Sequence, residues 1–325
     1  MVEVTIKAPA RLHLGFVDLN GSLGRRFGSL GVAITGIETS LTVADHTLEP
    51  NANNAHEYAR AARAADRLCE YLGEAERPNF RLNSIIPPHA GLGSGTQLAL
   101  AVGRGLAALY QNPISTREIA ALTGRGARSG IGVGVFDAGG FVVDVGRGAS
   151  TDVPPQLVRA DFPAEWPVVL LGDPGLEGIS GHEEKAAFNS LAPMSDSLVA
   201  ELCRHTLMGV IPAVMERDFE NFATSLGFIQ QAIGDYFAPF QGGRKFTSIP
   251  IGTTATEIKR RWPQVVIGQS SWGPTVFALV ESEAVADEIV EQLQYNSIGS
   301  PDAPWDVQVS RVNNSGALVA SPVDR

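Results

Sequence analysis

The chain has 325 residues, 44% hydrophobic and 18% charged, with a formal net charge of −10, which fits one large or two medium packed domains and excludes the disordered and low-complexity classes. The acidic balance, without a strong basic block, argues against nucleic acid as the main ligand, and no apolar run suggests a membrane span. Residues 1–12 lack a signal-peptide core, and two distant cysteines, Cys69 and Cys203, suggest neither a disulfide framework nor a zinc site, so a cytoplasmic location is expected.

Val2, Val4 and Ile6 alternate with polar residues and predict a strand. Beyond Pro9 a second strand is predicted, with Leu12, Leu14 and Phe16 on one face and Arg11 and His13 on the other. That second face suits either solvent or a ligand. Arg25 and Arg26 stand in the glycine-rich run 24–31, where paired guanidiniums suit bidentate capture of phosphate or carboxylate. Strands are expected over 32–34, 39–44 and 80–86, and a helix over 55–72.

The run 87–97 follows. Gly91, Leu92, Gly93, Ser94, Gly95, Thr96 and Gln97 form a glycine loop leading directly into an apolar helix predicted over 98–110. Glycines let backbone approach a ligand closely, and free N–H groups at a helix start attract anions, so a phosphate or pyrophosphate is the expected ligand. A short helix over 116–122 precedes a second loop, 124–130, which carries Arg125, Arg128, Ser129 and Gly130. Segments 133–136 and 141–145 predict a hairpin closed by 137–140. Gly132-Val133-Gly134 lacks the third glycine and the following helix of a dinucleotide fingerprint.

The proline-rich run 154–163 marks a boundary between domains 1–160 and 161–325. Beyond it come a strand over 168–172 and the run 178–185. There His182, Glu183 and Lys185 are acid/base candidates or simply an exposed helix start. Helices are predicted over 194–216, 219–237, 254–262 and 283–294, and strands over 265–268, 275–280 and 306–312. A third small-residue loop holds Ser270, Ser271, Trp272 and Gly273. Mixed helices and strands with hairpins indicate an α+β protein.

The order of these loops resembles the GHMP kinase superfamily over most of the chain. Lys7-Ala8-Pro9-Ala10-Arg11-Leu12 resembles its first motif, Pro87 through Thr96 its central phosphate loop, and 268–279 its C-terminal glycine motif in degraded form. The resemblance implies a GHMP-type N-terminal domain, a ferredoxin-like α+β domain after it, and an active site between them. One departure matters. Many of these kinases carry Ser-Gly-Ile-Asp with the Asp as catalytic base, whereas this chain reads Ser129-Gly130-Ile131-Gly132.

The β-ribofuranosylaminobenzene 5′-phosphate synthase branch of the superfamily is similar at Arg11-Leu12-His13 to Asp18, Gly24-Arg25-Arg26 to Gly31, Gly91 to Gln97, Arg125 to Gly134, and Gln269 to Pro274. That resemblance implies a decarboxylating transfer of ribose 5-phosphate from phosphoribosyl pyrophosphate (PRPP) to 4-hydroxybenzoate or 4-aminobenzoate, in tetrahydromethanopterin biosynthesis. A homodimer is implied as well. On this reading His13, Arg26 and Arg128 are catalytic. Arg11, Arg25 and the three loops, including Ser129, Gly130, Ser270, Ser271 and Gly273, bind substrate. Trp272 walls the aromatic ring, and Ser94 and Asp18 contact Mg2+. Two other readings stand beside it: an ATP-dependent small-molecule kinase with Asp137 as substitute base, and a non-catalytic sensor of a phosphorylated metabolite.

Overall fold

The computed structural model describes residues 2–49, 54–173, 175, 176, 178, 188, 190–295 and 305–320; His182, Glu183 and Lys185 lie outside the described residues. Two long strands, β1 (Glu3–Asp18) and β2 (Phe27–Ala44), pair along almost their whole length. The sequence suggests two short strands in place of β1, divided at Pro9. Instead Pro9 pairs with Glu38, and the register slips between Pro9 and Ala10 and again between His13 and Gly15. These irregularities accommodate a residue that cannot donate to the ladder. They also mark a change of partner: Val4, Ile6 and Ala8 pack in one core cluster, Leu12, Leu14 and Phe16 in another.

Around this hairpin stand α1 (Ala55–Leu72), β3 (Asn79–Ser84), α2 (Ser94–Leu109), α3 (Thr116–Leu122), α4 (Ile131–Ala138), β4 (Phe141–Asp144) and β5 (Gln156–Ala160). The expected strand over 133–136 is the helix α4. Its Gly-Val-Gly-Val run imitates strand alternation, but the glycines are there for helix packing. A Cβ on Gly132 would meet Thr96 Cγ2 at 2.8 Å and one on Gly134 would meet Val142 Cγ1 at 2.7 Å. β5 lies inside the proline-rich run read as a domain boundary, at the edge of the sheet.

The second half contains β6 (Val168–Gly172) and α5 (Asp196–His205), which runs through a π-helical turn, Thr206–Val210, into α6 (Ile211–Glu216). Then come α7 (Phe219–Phe237), α8 (Ile249–Arg261), β7 (Val266–Gln269), β8 (Val276–Leu279), α9 (Glu283–Gln294) and β9 (Asp306–Ser310). α8 begins five residues before its expected start. Ser248 caps it by accepting from the Ile251 N–H at 3.1 Å, and Pro250 suits the first turn. The strand order β7-β8-β6-β9, antiparallel throughout, is the ferredoxin-like arrangement. The span Asp196–Glu216 is long and apolar enough to cross a membrane by length and composition, contrary to the sequence reading. Leu202, Val210, Ile211 and Val214 spend that apolar character on the core.

The halves share their largest core cluster, in which Leu12, Leu14 and Phe16 meet Phe222, Leu226 and Ile229 of α7 and Phe277 of β8. The division into 1–160 and 161–325 is crossed by the last strand, β10 (Leu318–Ala320), which returns to pair with Thr5, Ile6 and Lys7. The first sheet therefore runs β10-β1-β2-β4-β5, with β3 also on β2.

Candidate functional site

The glycine loop is held from both halves of the chain. The Arg11 N–H donates to Leu92 O at 3.0 Å, and Arg11 Nη1 donates to Gly91 O at 2.7 Å. From the other side Ser270 Oγ donates to Gly91 O at 2.8 Å and accepts from the His13 N–H at 3.1 Å. Gly91 and Gly93 adopt φ of +79° and +81°, which glycine alone takes without strain. A Cβ on Gly91 would stand 2.2 Å from Ser270 O, and one on Gly273 would stand 2.3 Å from Ala90 O. The loops around 91 and 273 thus touch backbone to backbone. α2 begins at Ser94 directly after this clamp, and the Ser94 and Gly95 N–H groups precede the first intrahelical bonds, those of Thr96 and Gln97 to Gly93 O.

His13 lies immediately behind the clamp and is 3% exposed. Burial, followed by the charges of Arg11 and Arg128, holds its pKa well below the usual 6.5, so the ring is neutral. Its Nδ1 accepts from the Gly15 N–H at 3.3 Å. The proton of the neutral ring is therefore on Nε2, a buried donor with no partner among the described residues. The ring borders a cavity of ≈ 510 Å³ lined by Phe16 of β1, Gln230 and Phe237 of α7, and Gln269 and Ser271 at the end of β7. Phe16, Phe27, Phe188, Phe237 and Trp272 form a continuous aromatic cluster beside it, with centroid separations of 4.5–6.3 Å. Trp272 Nε1 is likewise buried without a partner among the described residues. Arg128 stacks over Phe188 at 4.9 Å and Arg26 over Phe27 at 5.6 Å, which places both cations on this cluster.

The buried neutral ring has a measurable consequence. Below pH 6.5 the unfolded chain protonates His13 while the native state does not, so this contribution to stability is present above pH 6.5 and lost as pH falls. Its slope approaches 1.4 kcal/mol per pH unit at most, roughly. Urea unfolding between pH 7.5 and 5 is expected to show a steeper loss for the wild type than for His13→Gln. Parallel curves would refute the neutral assignment.

A second knot positions the loop 124–130. The Asp144 carboxylate is 2% exposed and accepts from Ser29 Oγ, from the Gly130 N–H at 2.9 Å and from the Gly146 N–H at 2.8 Å. Burial raises its pKa, and these bonds oppose the rise. Ser29 Oγ also bonds Ser129 Oγ at 2.7 Å, so Ser129 and Gly130 are fixed from beneath. Just beyond, the space a side chain at 132 would need is filled by the Thr96 methyl. Gln97, expected to bind substrate, is fully buried and donates to Gly132 O at 2.8 Å, pinning α2 to α4. Asp137, the alternative base, lies in a different cavity with Arg104 and Thr116, where burial raises its pKa.

Sequence reasoning missed a cluster of four arginines. Arg60, Arg63 and Arg67, spaced three and four residues apart, share one face of α1 and meet Arg125 and Gly95 around a cavity of ≈ 140 Å³. A Cβ on Gly95 would lie 2.2 Å from Arg60 Nη2 and 3.1 Å from Arg125 Nη1. Arg125 Nε is buried with no partner among the described residues. Burial, then the charges of Arg60 and Arg67, lowers the Arg125 pKa. Asp144 was missed too. The only sequence signal for either was charge in an odd place: three arginines on one face of a helix in an acidic protein, and one Asp ending an apolar strand.

Other expected residues are used differently. Arg25 donates to Val145 O at 3.1 Å and Gly146 O at 2.8 Å and is exposed on the hairpin end. Asp18 Oδ1 accepts from the Asn20 N–H at 2.7 Å and the Gly21 N–H at 2.8 Å, capping that turn. It is seven strand residues from Arg11, roughly 20 Å at about 3.3 Å per residue. Of the pair expected to contact Mg2+, Ser94 thus stands at the glycine loop and Asp18 at the hairpin end, and no group of three or more His, Cys, Asp or Glu side chains suited to a metal occurs among the described residues.

Residues 59–144 match the GHMP kinases N terminal domain and 210–298 the GHMP kinases C terminal domain. The β-ribofuranosylphenol 5′-phosphate synthase of Archaeoglobus fulgidus is 36% identical over 86% of this chain and 88% of its own length. That of Methanothermobacter thermautotrophicus is 32% identical over 87% and 90%. Among solved structures, mevalonate diphosphate decarboxylase from Staphylococcus aureus superposes with a TM-score of 0.68 at 12% identity, covering 98% of both chains. Homoserine kinase from Cytophaga hutchinsonii gives 0.65 at 17%, covering 98% of this chain and 97% of its own. These two share the fold. By its curated relatives, the chain belongs to the β-ribofuranosylphenol 5′-phosphate synthase family, enzymes built on the GHMP kinase fold.

Proposed function

We propose that this chain joins PRPP to 4-hydroxybenzoate and releases CO2 and pyrophosphate, leaving a C-riboside 5′-phosphate. The observation that supports the reading is a clamped glycine loop at a helix start, with glycine where the related kinases carry a catalytic carboxylate. The glycine loop is clamped in place, while the position of a kinase carboxylate holds Gly132 under the methyl of Thr96.

In the proposed reaction the bond between the anomeric carbon and pyrophosphate breaks with its electron pair on oxygen. The ring carbon bearing the carboxylate then attacks the ribosyl cation. The ring loses CO2, whose bonding electrons restore aromaticity, so no proton transfer is required at the reacting carbon. The chain's tasks are to hold the two reactants together, to stabilise the departing charge with fixed donors, and to exclude water from the cation. The aromatic cluster of Phe16, Phe188, Phe237 and Trp272 supplies a dry wall. His13 Nε2–H supplies a neutral donor at its edge. A phenol or phenolate oxygen accepts such a bond well. An aniline nitrogen, its lone pair drawn into the ring, accepts poorly, and this supports the hydroxyl substrate over the amino one.

The test is CO2 release from carboxyl-labelled 4-hydroxybenzoate and 4-aminobenzoate. PRPP-dependent release is expected, faster from the hydroxy acid, with that preference reduced in His13→Phe. Release from neither acid, with PRPP intact and ATP consumed in the presence of a small alcohol, would replace this reading with the kinase one.

A further inference from the structure

The arginine pocket on α1 gathers more positive charge than the acidic side chain beside it offsets. Arg63 and Arg67 are exposed, and the Glu57 carboxylate, which bonds Arg60 at 2.8 Å, is the one acidic side chain acting on Arg125 among the described residues. Like charges brought this close are mutually destabilising unless an anion joins them. The pocket opens on the start of a 16-residue helix at Gly95, a position with no side chain to hold an anion away. Arg125, which lines the pocket, carries a buried Nε–H with no partner among the described residues. Cavity, convergent charge and unpartnered donor point to the same kind of ligand, a compact polyanion.

The geometry assigns this pocket to the pyrophosphate group of the ribosyl donor. The assignment rests on the reaction proposed above. Four arginines less Glu57 leave the pocket three charges positive. A phosphate monoester carries only about −2 at neutral pH, and a diphosphate carries more, so the diphosphate is the better match. Arg125 lies only three residues before Arg128, within about 11 Å of chain, and Arg128 stands beside His13 and the aromatic wall. One short loop therefore joins the pole that takes the leaving group to the wall that takes the ring. Planar guanidinium forks accept the growing charge on the departing oxygens in bidentate fashion. The residues of the chain that meet this charge are arginines, in place of the Ser94 and Asp18 pair that the sequence suggested for a metal.

The experiment is calorimetric binding of inorganic pyrophosphate, and separately of ribose 5-phosphate, to the full chain. Arg63→Gln and Arg67→Gln are the first variants, since both side chains are exposed and their removal leaves the fold intact. Arg125→Gln is the third, with unfolding midpoints recorded for all. Each variant is expected to weaken pyrophosphate binding at least tenfold and ribose 5-phosphate binding less than twofold. Unchanged pyrophosphate affinity in a folded variant overturns the assignment. Equal weakening of both ligands also overturns it, because the pocket would then hold the 5′-phosphate. The readout needs no turnover, so a failure of the reaction reading would appear separately, as absent CO2 release by the wild type.

Discussion

Gly91→Ala is expected to lower turnover at least a hundredfold and to destabilise the fold by about 2–4 kcal/mol, combining left-handed backbone strain with overpacking. The residue sits at φ +79° with Ser270 O 2.2 Å from the position of a new Cβ and Gly273 Cα at 2.9 Å. Both obstacles are backbone, so neither yields by a rotamer change. The loops around 91 and 273 must separate, and the separation breaks the Ser270 bridge that joins His13 to Gly91. Gly93→Ala is the comparison. Its φ is similar, but its Cβ would meet the flexible Arg11 side chain at 2.8 Å. A clearly smaller loss is expected there in both urea unfolding and CO2 release. Equal losses would show that backbone strain, and not the contact between the two loops, sets the cost.

Asp144→Ala is expected to cost about 3–5 kcal/mol, since it strips the acceptor from three donors at a site that is 2% exposed. Activity should fall with it, because Gly130 and Ser129 position the loop that carries Arg128. The double variant with Ser29→Ala should lose less than the sum, as one stranded donor disappears along with its acceptor. A loss under about 1 kcal/mol would mean that water takes over the carboxylate's bonds.

The sequence made the glycine loop, the 270–273 loop and the ferredoxin-like half legible because each has a local signature: glycines beside a helix start, small polar residues between strands, and alternation with a period of two or of 3.6. α4 was misread because Gly132 and Gly134 imitate alternation, whereas their reason is contact with Thr96 and Val142, residues 36 and eight positions away. β5 was hidden by the prolines before it. The candidate site was half legible. Arg11, His13, Arg128 and Ser270 do converge with the glycine loop, though the sequence left the Arg11/His13 face open to solvent. Arg60, Arg63 and Arg67 could not be recognised as a ligand-facing stripe, because an arginine-bearing helix face ordinarily faces water. Only the position of Gly95 and Arg125 across the cavity distinguishes it. Arg25 and Asp18 are promising residue types whose surroundings the sequence does not show: nearby backbone engages both.

The return of β10 to β1 bears on how the molecule is made in a cell. Ile6 pairs with Val319, so the edge of the first sheet waits for roughly 310 residues to be synthesised, about 15–60 s at about 5–20 residues per second. During that interval β1 has an open hydrogen-bonding edge along Thr5, Ile6 and Lys7, the kind of edge that pairs with other chains. A nascent-chain chaperone or a fast downstream ferredoxin-like half would shield it. Fusions that delay or obstruct residues 318–320 should aggregate during synthesis even when the finished protein is stable.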